Sequence, residues 1–231
     1  MFNRLILNKH NMKTIVNSTI LFFLIVSKVS LLHAQSNAIR QELSAGGNFI
    51  FVAVPKINEH LKNQNFPAIG TQLGGTHLNY SVCVKKYMFA ANFLWSISDN
   101  VSNEYKNKST FNSFGFSAYY PVLNASNNKL YIGLSAQASV FQTVIVQNQI
   151  QDIRNLNLDR VMFYNNNWSF GGKLLYNMFG NSKFPLMFEL AYFLGFNNEW
   201  KIDNPSISSI PISENFNRFA FSIDIPIIRS K

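Results

Sequence analysis

The sequence has little charge, a single cysteine and no long apolar run beyond its first 35 residues. Charged residues make up 13% of the 231 residues, against roughly 25% in soluble globular domains. One cysteine, Cys83, excludes an intramolecular disulfide and a zinc site made of several thiolates. No later apolar stretch approaches the roughly 18 residues of a membrane-spanning helix. Because the chain is nevertheless 47% hydrophobic, its apolar residues must alternate with small and polar ones.

The N-terminal segment, residues 1–34, is predicted to be a secretory signal peptide. Residues 20–26 form its apolar core, and Ala34 stands at the −1 position of a cleavage site. Met12 offers an alternative start. A retained membrane anchor is the less favoured interpretation, because the apolar stretch is short and Lys28 interrupts it.

The formal net charge of +9 does not indicate a nucleic-acid-binding protein. Such a surface needs Lys and Arg clustered along one element beside aromatic side chains, and the sequence shows no such stripe. Outside the signal segment, most of the excess lies at the predicted periplasmic ends of the strands: Lys85, Lys86, Lys129, Lys183, Arg229 and Lys231. We interpret it as a rim that faces the periplasm or anionic lipid headgroups.

From residue 69 onwards, runs of period-two hydrophobicity are joined alternately by tight and by long connections. The tight ones are Lys85-Lys86, 123–128 and 179–183, and the long ones are 99–109, 143–165 and 197–214. Short turns on one side and long loops on the other are typical of transmembrane β-barrels, whose short turns are periplasmic.

The compositions of the two faces of the predicted strands indicate which face points into the barrel and which points to lipid. Strand three, for example, has Phe89, Phe93 and Trp95 on one face and Asn92 and Ser96 on the other. A face of Ser, Gly, Ala and Asn suits the interior of a narrow barrel, whereas a water-soluble barrel would pack its large apolar residues inside. A continuous apolar face suits lipid, and the sheet must close because every backbone polar group in hydrocarbon needs a partner.

Counting a less regular first strand within residues 41–54 gives eight strands. The sequence therefore predicts one all-β domain over residues 35–231, a closed eight-stranded antiparallel up-and-down transmembrane β-barrel. A short helical turn is expected at 59–62 in the first loop, and irregular structure at 197–214.

Aromatic residues near the strand ends predict a girdle at each membrane interface. Trp95, Trp168 and Trp200 are placed at the outer ends, and Tyr87, Tyr120, Tyr131 and Tyr176 at the periplasmic ends. In this layout the chain resembles small Gram-negative outer-membrane β-barrels, and is similar to the outer-membrane protein A and X superfamily. The resemblance covers residues from about 41 onwards and rests on pattern, not on a motif. It implies a location in the outer membrane.

Inward-facing charges predict a network in the lumen. A turn centred on residue 181 pairs Lys173 with Glu189 as a salt bridge, which Arg218 and Asp224 are expected to join. Further polar lumen residues are His77, Asn79, Asn92 and Gln137, with Asn79 opposite Asn92. A charge-lined conduction path is the alternative, but the interior of eight strands is just wide enough for side chains to fill.

No enzyme motif is present. His77 and Ser81 share a face, but residues i and i+4 of a strand lie roughly 13 Å apart, too far for a base to reach a hydroxyl. The sequence lacks Gly-x-Ser-x-Gly, His-Glu-x-x-His and phosphate-cradling patterns. We therefore predict no catalytic residue, cofactor or metal ligand.

The longest loop, 143–165, is unusually apolar and has two interpretations. In the favoured one, strands five and six continue beyond the bilayer. In the other, an exposed patch docks a partner protein or surface polymer. The sequence thus predicts a non-enzymatic outer-membrane barrel, structural or surface-binding through its outer loops, with a largely plugged polar lumen and outer-membrane lipid as its surroundings. A narrow porin-like channel for small solutes and an outer-membrane lipid-modifying enzyme are the alternatives.

Overall fold

A computed structural model describes residues 39–101, 105–125, 127–147, 160–179, 185–203 and 212–229. The predicted signal peptide lies outside the described residues. The elements in chain order are β1 Ile39–Val52, α1 Pro55–Asn63, β2 Gln72–Val84, β3 Tyr87–Val101, β4 Tyr105–Asn124, β5 Lys129–Gln147, β6 Arg160–Met178, β7 Leu186–Gly195, β8 Asn197–Glu199, β9 Lys201–Ile202, β10 Ser213–Asn215 and β11 Arg218–Arg229.

Eight of these strands form a closed antiparallel ring, as predicted. The ring runs from β1 through β7 to β11, which pairs back with β1. Closure leaves no sheet edge, so the backbone groups of all eight strands can pair with neighbours. The short strands lie beyond the ring: β9 pairs with β6, and β8 pairs with β10.

The alternation of side chains gives the ring an apolar exterior. Large apolar residues at alternate positions are exposed, among them Phe49, Phe51, Phe89, Phe93, Phe116, Leu134, Phe170, Leu194, Phe219, Ile223 and Ile225. So large and continuous an apolar surface would be unstable in water and is what a lipid environment requires. The barrel is therefore of the transmembrane kind.

The two ends of the ring differ. At one end, called the turn end, β2 and β3 are joined by Lys85-Lys86, with Lys85 in the left-handed region at φ 55°. The other end, called the loop end, carries α1 and the three short strands. Helix α1 begins at Pro55, whose missing N–H costs nothing in a first turn. Ile57 and Leu61 lie four residues apart on its buried face. No helix in the described part of the chain is long and apolar enough to cross a membrane.

The structure tests two predictions about the long loops. Much of the predicted loop 143–165 is paired strand, because β5 runs to Gln147 and β6 begins at Arg160; residues 148–159 lie outside the described residues. Continuation of strands five and six, the favoured interpretation, is thus confirmed over the paired part. The expectation of irregular structure at 197–214 was wrong for its described part, which contains β8, β9 and the start of β10; residues 204–211 lie outside the described residues.

Candidate functional site

The barrel lumen is filled by three layers of side chains. At the loop end lies an apolar cluster, the outer cap: Ile50, Val52, Val54, Ile57, Leu61, Ile69, Leu73, Leu94, Phe111, Phe141, Ile145, Phe163, Ala191, Phe193, Trp200, Phe216 and Ala220. At the turn end lies a smaller one, the inner cap: Met88, Ala90, Tyr119, Tyr131, Leu175 and Met187.

The layer between the caps is polar and is called the polar belt. It consists of Asn48, His77, Asn79, Asn92, Gln137, Ser169, Lys173, Glu189, Arg218 and Asp224, all buried. Strand β3 shows the order of the layers: Leu94 belongs to the outer cap, Asn92 to the belt and Ala90 to the inner cap.

The predicted salt bridge between Lys173 and Glu189 is present in the belt. Lys173 Nζ lies 2.7 Å from Glu189 Oε1, and Tyr119 donates its hydroxyl to the other carboxylate oxygen at 2.6 Å. The predicted register was wrong by two residues, because Glu189 is the Cα partner of Leu175. The ion pair therefore forms diagonally, a reach that a lysine side chain allows.

The predicted contact between Asn79 and Asn92 is also present. Asn92 donates its amide to Asn79 at 2.7 Å, and the two residues are cross-strand partners. The Asn92 side-chain oxygen accepts hydrogen bonds from Ser117 at 2.6 Å and from Lys173 at 3.1 Å. This amide links β2, β3, β4 and β6 through the lumen.

Asp224 does not join the network of Lys173 and Glu189, contrary to prediction. Its Oδ2 lies 2.7 Å from Nδ1 of His77. The two residues lie on β11 and β2, which are separated by β1. They meet above Gly46, the β1 partner of Asp224. A Cβ at Gly46 would collide with the Ile223 carbonyl oxygen and with Asp224 Oδ1, so this glycine makes room for the pair.

Arg218 also lies apart from the predicted charge network. It donates through Nη2 to Gln137 Oε1 at 2.7 Å and to Ser169 Oγ at 2.8 Å. Its guanidinium stacks on the rings of Phe193 and Phe111, at 4.4 and 5.0 Å from their centroids. No carboxylate among the described residues pairs with it, so neutral groups and cation–π contacts stabilise a buried cation.

Together these contacts connect strands that are not neighbours in the ring. Arg218 reaches from β11 to β5 and β6, Lys173 from β6 to β3, and Tyr119 from β4 to β7. Contacts of this kind cross-link the interior of the ring. His77 is held by Asp224, and the described residues give it no hydrogen bond to Ser81 or another serine. Nor do they contain a group of His, Cys, Asp and Glu able to hold a metal ion.

At the loop end, Glu214 forms hydrogen bonds that connect helix α1 with Trp200 of the outer cap. Its Oε1 accepts the backbone N–H of Lys56 at 2.7 Å, in the first turn of α1, and its Oε2 accepts the indole N–H of Trp200 at 3.1 Å. A carboxylate at a helix N-terminus is electrostatically favourable. Burial raises the pKa of this carboxyl above its ordinary value, and the hydrogen bonds from Lys56 and Trp200 only partly oppose that effect. Sequence reasoning missed Glu214, since it belongs to a loop predicted to be irregular.

Two girdle predictions were wrong. Trp200 is 1% exposed and packs edge-on against Phe141 in the outer cap. Tyr131 is 7% exposed and belongs to the inner cap, as its alternation with Gly133 and Ser135 places it on the inward face. The other girdle residues face outward or lie at the rim: Trp95, Trp168, Tyr87 and Tyr120 are exposed, and Tyr176 is half-buried.

An open cleft of about 450 Å³ lies outside the outer cap. It is lined by Lys56, Glu59, His60, Asn63, Ile212 and Ser213. Lys56 also donates its ammonium to the Ser213 carbonyl oxygen at 2.9 Å, which ties the two walls of the cleft together. The described part of the loop end thus presents a largely polar cleft whose two walls are joined by a hydrogen bond.

No protein-family model matches the chain, and no curated protein matches it in sequence. Among solved structures, Neisserial surface protein A superimposes with a TM-score of 0.50 at 11% identity, over 84% of this chain and 97% of that one. The attachment invasion locus protein of Yersinia pestis gives 0.47 at 9% identity, over 83% and 98%. The outer membrane protease OmpT of Escherichia coli gives 0.33 at 8% identity, over 83% and 95%. The first match shows the fold, and the two weaker matches add nothing to it.

Proposed function

We propose that this protein is an outer-membrane β-barrel of a Gram-negative envelope that does not conduct and acts through its outer end. It is exported by the N-terminal signal peptide, and its role is structural or surface-binding and not enzymatic. The observation that carries the proposal is the closed lumen, in which two apolar caps enclose a cross-linked polar belt.

The closed lumen argues against a porin-like role. A solute would have to displace Phe111, Phe141 and Trp200, whose rings contact Phe216 or one another in the outer cap. Below them it would meet Arg218 and the pair of Lys173 and Glu189, each held by several contacts. The interior of an eight-stranded barrel is just wide enough for side chains to fill, which supports a lumen that does not conduct.

The outer end supports the surface-binding part of the proposal. Binding residues tend to lie on loops held by a rigid scaffold, and in this protein Glu214 fastens α1 and β10 to that scaffold. The surface comprises the cleft beside α1 and the extensions of β5 and β6, where we propose that a partner protein or surface polymer docks. Ile145 and Phe163 of those extensions belong to the outer cap, so their apolar character serves the cap and is not itself a docking patch.

Conductance across a planar lipid bilayer tests the closed lumen. Wild-type protein should show no steady single-channel current. The variant Trp200→Ala, Phe141→Ala opens only the outer cap and should stay silent, whereas the same variant with Lys173→Ala, Glu189→Ala and Tyr119→Ala also opens the belt and the inner cap and should admit ions. The exterior variant Phe51→Ala serves as the matched control and should stay silent. Steady wild-type currents whose ion selectivity changes with Glu189→Gln would instead establish the channel.

Surface binding needs a separate measurement. Intact cells that display the protein should retain more fluorescent dextran or serum protein than cells displaying a variant with residues 148–159 replaced by a short Gly-Ser turn. Both proteins must show the heat-dependent gel mobility of a folded barrel. Equal retention of every probe would leave the structural role and remove the binding role.

A further inference from the structure

The exterior of the barrel has a groove along β5. Ala136 and Ala138 are consecutive outward positions of that strand. The cross-strand partners of Ala136 are Phe116 on β4 and Phe170 on β6, and those of Ala138 are Phe114 and Trp168. Strands lie about 4.8 Å apart, so two aromatic walls about 10 Å apart flank a floor of methyl groups.

The walls of the groove rise well above its floor. Phe116, Trp168 and Phe170 are 53%, 65% and 57% exposed, and Phe114 packs edge-on against Phe116 with ring centroids 5.0 Å apart. Towards the turn end the groove meets Leu134, which is 75% exposed and lies between Ala118 and Gly172. The aromatic walls therefore end at Phe116 and Phe170, and the groove is short and wide enough for one alkyl chain.

The groove opens towards the loop end into a band of amides and hydroxyls. The next outward position of β5 is Val140, between Asn112 and Asn166. Gln142 follows, between Thr110 and Tyr164. These side chains offer hydrogen-bond donors and acceptors at the level where the apolar exterior ends, as sugar hydroxyls require.

Two exposed lysines, Lys106 and Lys108, lie on the same outward face, beyond the amide band towards the loop end. Lys108 is the partner of Val144, and Lys106 is the partner of Val146 and of Val101 on β3. Asp99 is the β3 partner of Lys108, whereas Lys106 has valine on both sides. A net positive charge thus lies beyond the amides, where it can attract phosphate.

We propose that the outward face of β4, β5 and β6 is a binding site for a phosphorylated glycolipid of the outer leaflet. One acyl chain lies on Ala136 and Ala138, the sugar meets Asn112 and Asn166, and a phosphate lies at Lys106 and Lys108. The order of apolar groove, amide band and lysines matches the order of chain, sugar and phosphate in such a lipid. This proposal rests on the proposed location in the outer membrane.

Brominated lipids that quench Trp168 can test the site. The protein carries Trp95→Phe, which leaves Trp168 in the groove wall and Trp200 buried in the outer cap. It is inserted into phosphatidylcholine vesicles that contain a few per cent of a brominated, phosphorylated glucosamine disaccharide lipid. We expect quenching to exceed, roughly tenfold in relative association constant, that by brominated phosphatidylcholine at the same mole fraction.

Three variants separate the parts of the site. Ala136→Leu, Ala138→Leu fills the groove and should abolish the preference, whereas Ala45→Leu, outward on β1, should preserve it. Lys106→Gln, Lys108→Gln should remove the preference for the phosphorylated lipid over its dephosphorylated form. Heat-dependent gel mobility verifies that each variant is a folded barrel.

Several outcomes would overturn the proposal. Equal quenching by both lipids in inserted wild-type protein would show ordinary boundary lipid and leave the proposed function untouched. An unchanged preference in the groove or lysine variants would also refute it, as would chemical cross-linking of dimers that only the groove variant abolishes, since the occupant would then be a second copy. Failure of the wild type to insert into vesicles at all would overturn the membrane location as well.

Discussion

His77 and Asp224 bridge across an intervening strand. Their side chains lie 2.7 Å apart, yet β1 separates their strands and 147 positions separate them in the chain. The contact depends on Gly46 of β1, where a Cβ would collide with the backbone of Ile223 and with Asp224. Both side chains of the pair are fully buried and cannot move away into solvent. The contact between them therefore requires that residue 46 has no Cβ.

We expect Gly46→Ala to destabilise the barrel by about 1–3 kcal/mol, the usual cost of overpacking. Gly172→Ala is the matched control, because a Cβ there would meet nothing within 4 Å. Urea unfolding of each variant in lipid vesicles, followed by tryptophan fluorescence, measures the difference. Equal free energies of unfolding for the two variants would show that Gly46 has no such role.

Removing one partner of the pair formed by Lys173 and Glu189 should cost about 3–5 kcal/mol, because it leaves a buried charge uncompensated. Lys173→Met and Glu189→Gln test this singly. The double variant should cost less than the sum of the two, with a coupling of at least about 1 kcal/mol. Strict additivity in the same urea titrations would mean that the two side chains do not interact in the membrane-inserted protein.

Tyr119 and Tyr120 are adjacent but face opposite sides of the wall. Tyr119→Phe removes a hydroxyl that donates to Glu189 at 2.6 Å, and should lower the free energy of unfolding by about 1.5–3 kcal/mol. Tyr120 is exposed on the exterior, so Tyr120→Phe should change it by less than about 0.5 kcal/mol. A reversed order of the two effects would show that the faces of β4 are misassigned.

Glu214 makes the outer cap sensitive to pH. Burial raises its pKa from the ordinary 4.5, so the folded state binds a proton more strongly than the unfolded state does. The docking of α1 and β10 therefore strengthens as the pH falls towards 4.5 and weakens as the pH rises through the raised pKa. Lys56 is the charged residue beside it, and burial outweighs its opposite effect.

Fluorescence of Trp200, which donates to Glu214, reports this change in a Trp95→Phe, Trp168→Phe background. Helix docking, followed by protease cleavage near α1, should be tighter at about pH 5 than at about pH 8. Glu214→Gln should abolish both responses, and Glu199→Gln, an exposed residue of β8, should preserve them. A cap that loosens in acid would contradict this assignment of the pH response to Glu214.

The sequence predicted the barrel wall because period-two alternation specifies which side chains face lipid. Neighbouring strands joined by tight turns also allowed contacts to be predicted: Asn79 with Asn92 across Lys85-Lys86, and Lys173 with Glu189 despite a register error of two residues. Tyr131 could have been placed correctly, since its alternation with Gly133 indicates the inward face.

Other parts of the site could not be predicted from local pattern. The pair of His77 and Asp224 exists only because the ring closes between β1 and β11, and strand alternation does not determine which lumen side chains meet. Trp200 lies among polar residues near a strand end, as a girdle residue would. Only the pairing of β8 with β10 and of β9 with β6 turns it inward. The partners of Arg218 are an amide, a hydroxyl and two aromatic rings, and among the described residues no carboxylate pairs with it. Only the three-dimensional packing determines this set of partners.

Strands β1 and β11 are neighbours in the ring although they are the first and the last strand of the described chain. Besides the pairing of their backbones, Arg229 donates to Glu42, its cross-strand partner, and the pair of His77 and Asp224 spans the junction from inside. We therefore expect the barrel to tolerate circular permutation. A chain in which a linker joins β11 to β1 and new termini lie between Lys85 and Lys86 should form the same barrel, with β3 as its first strand.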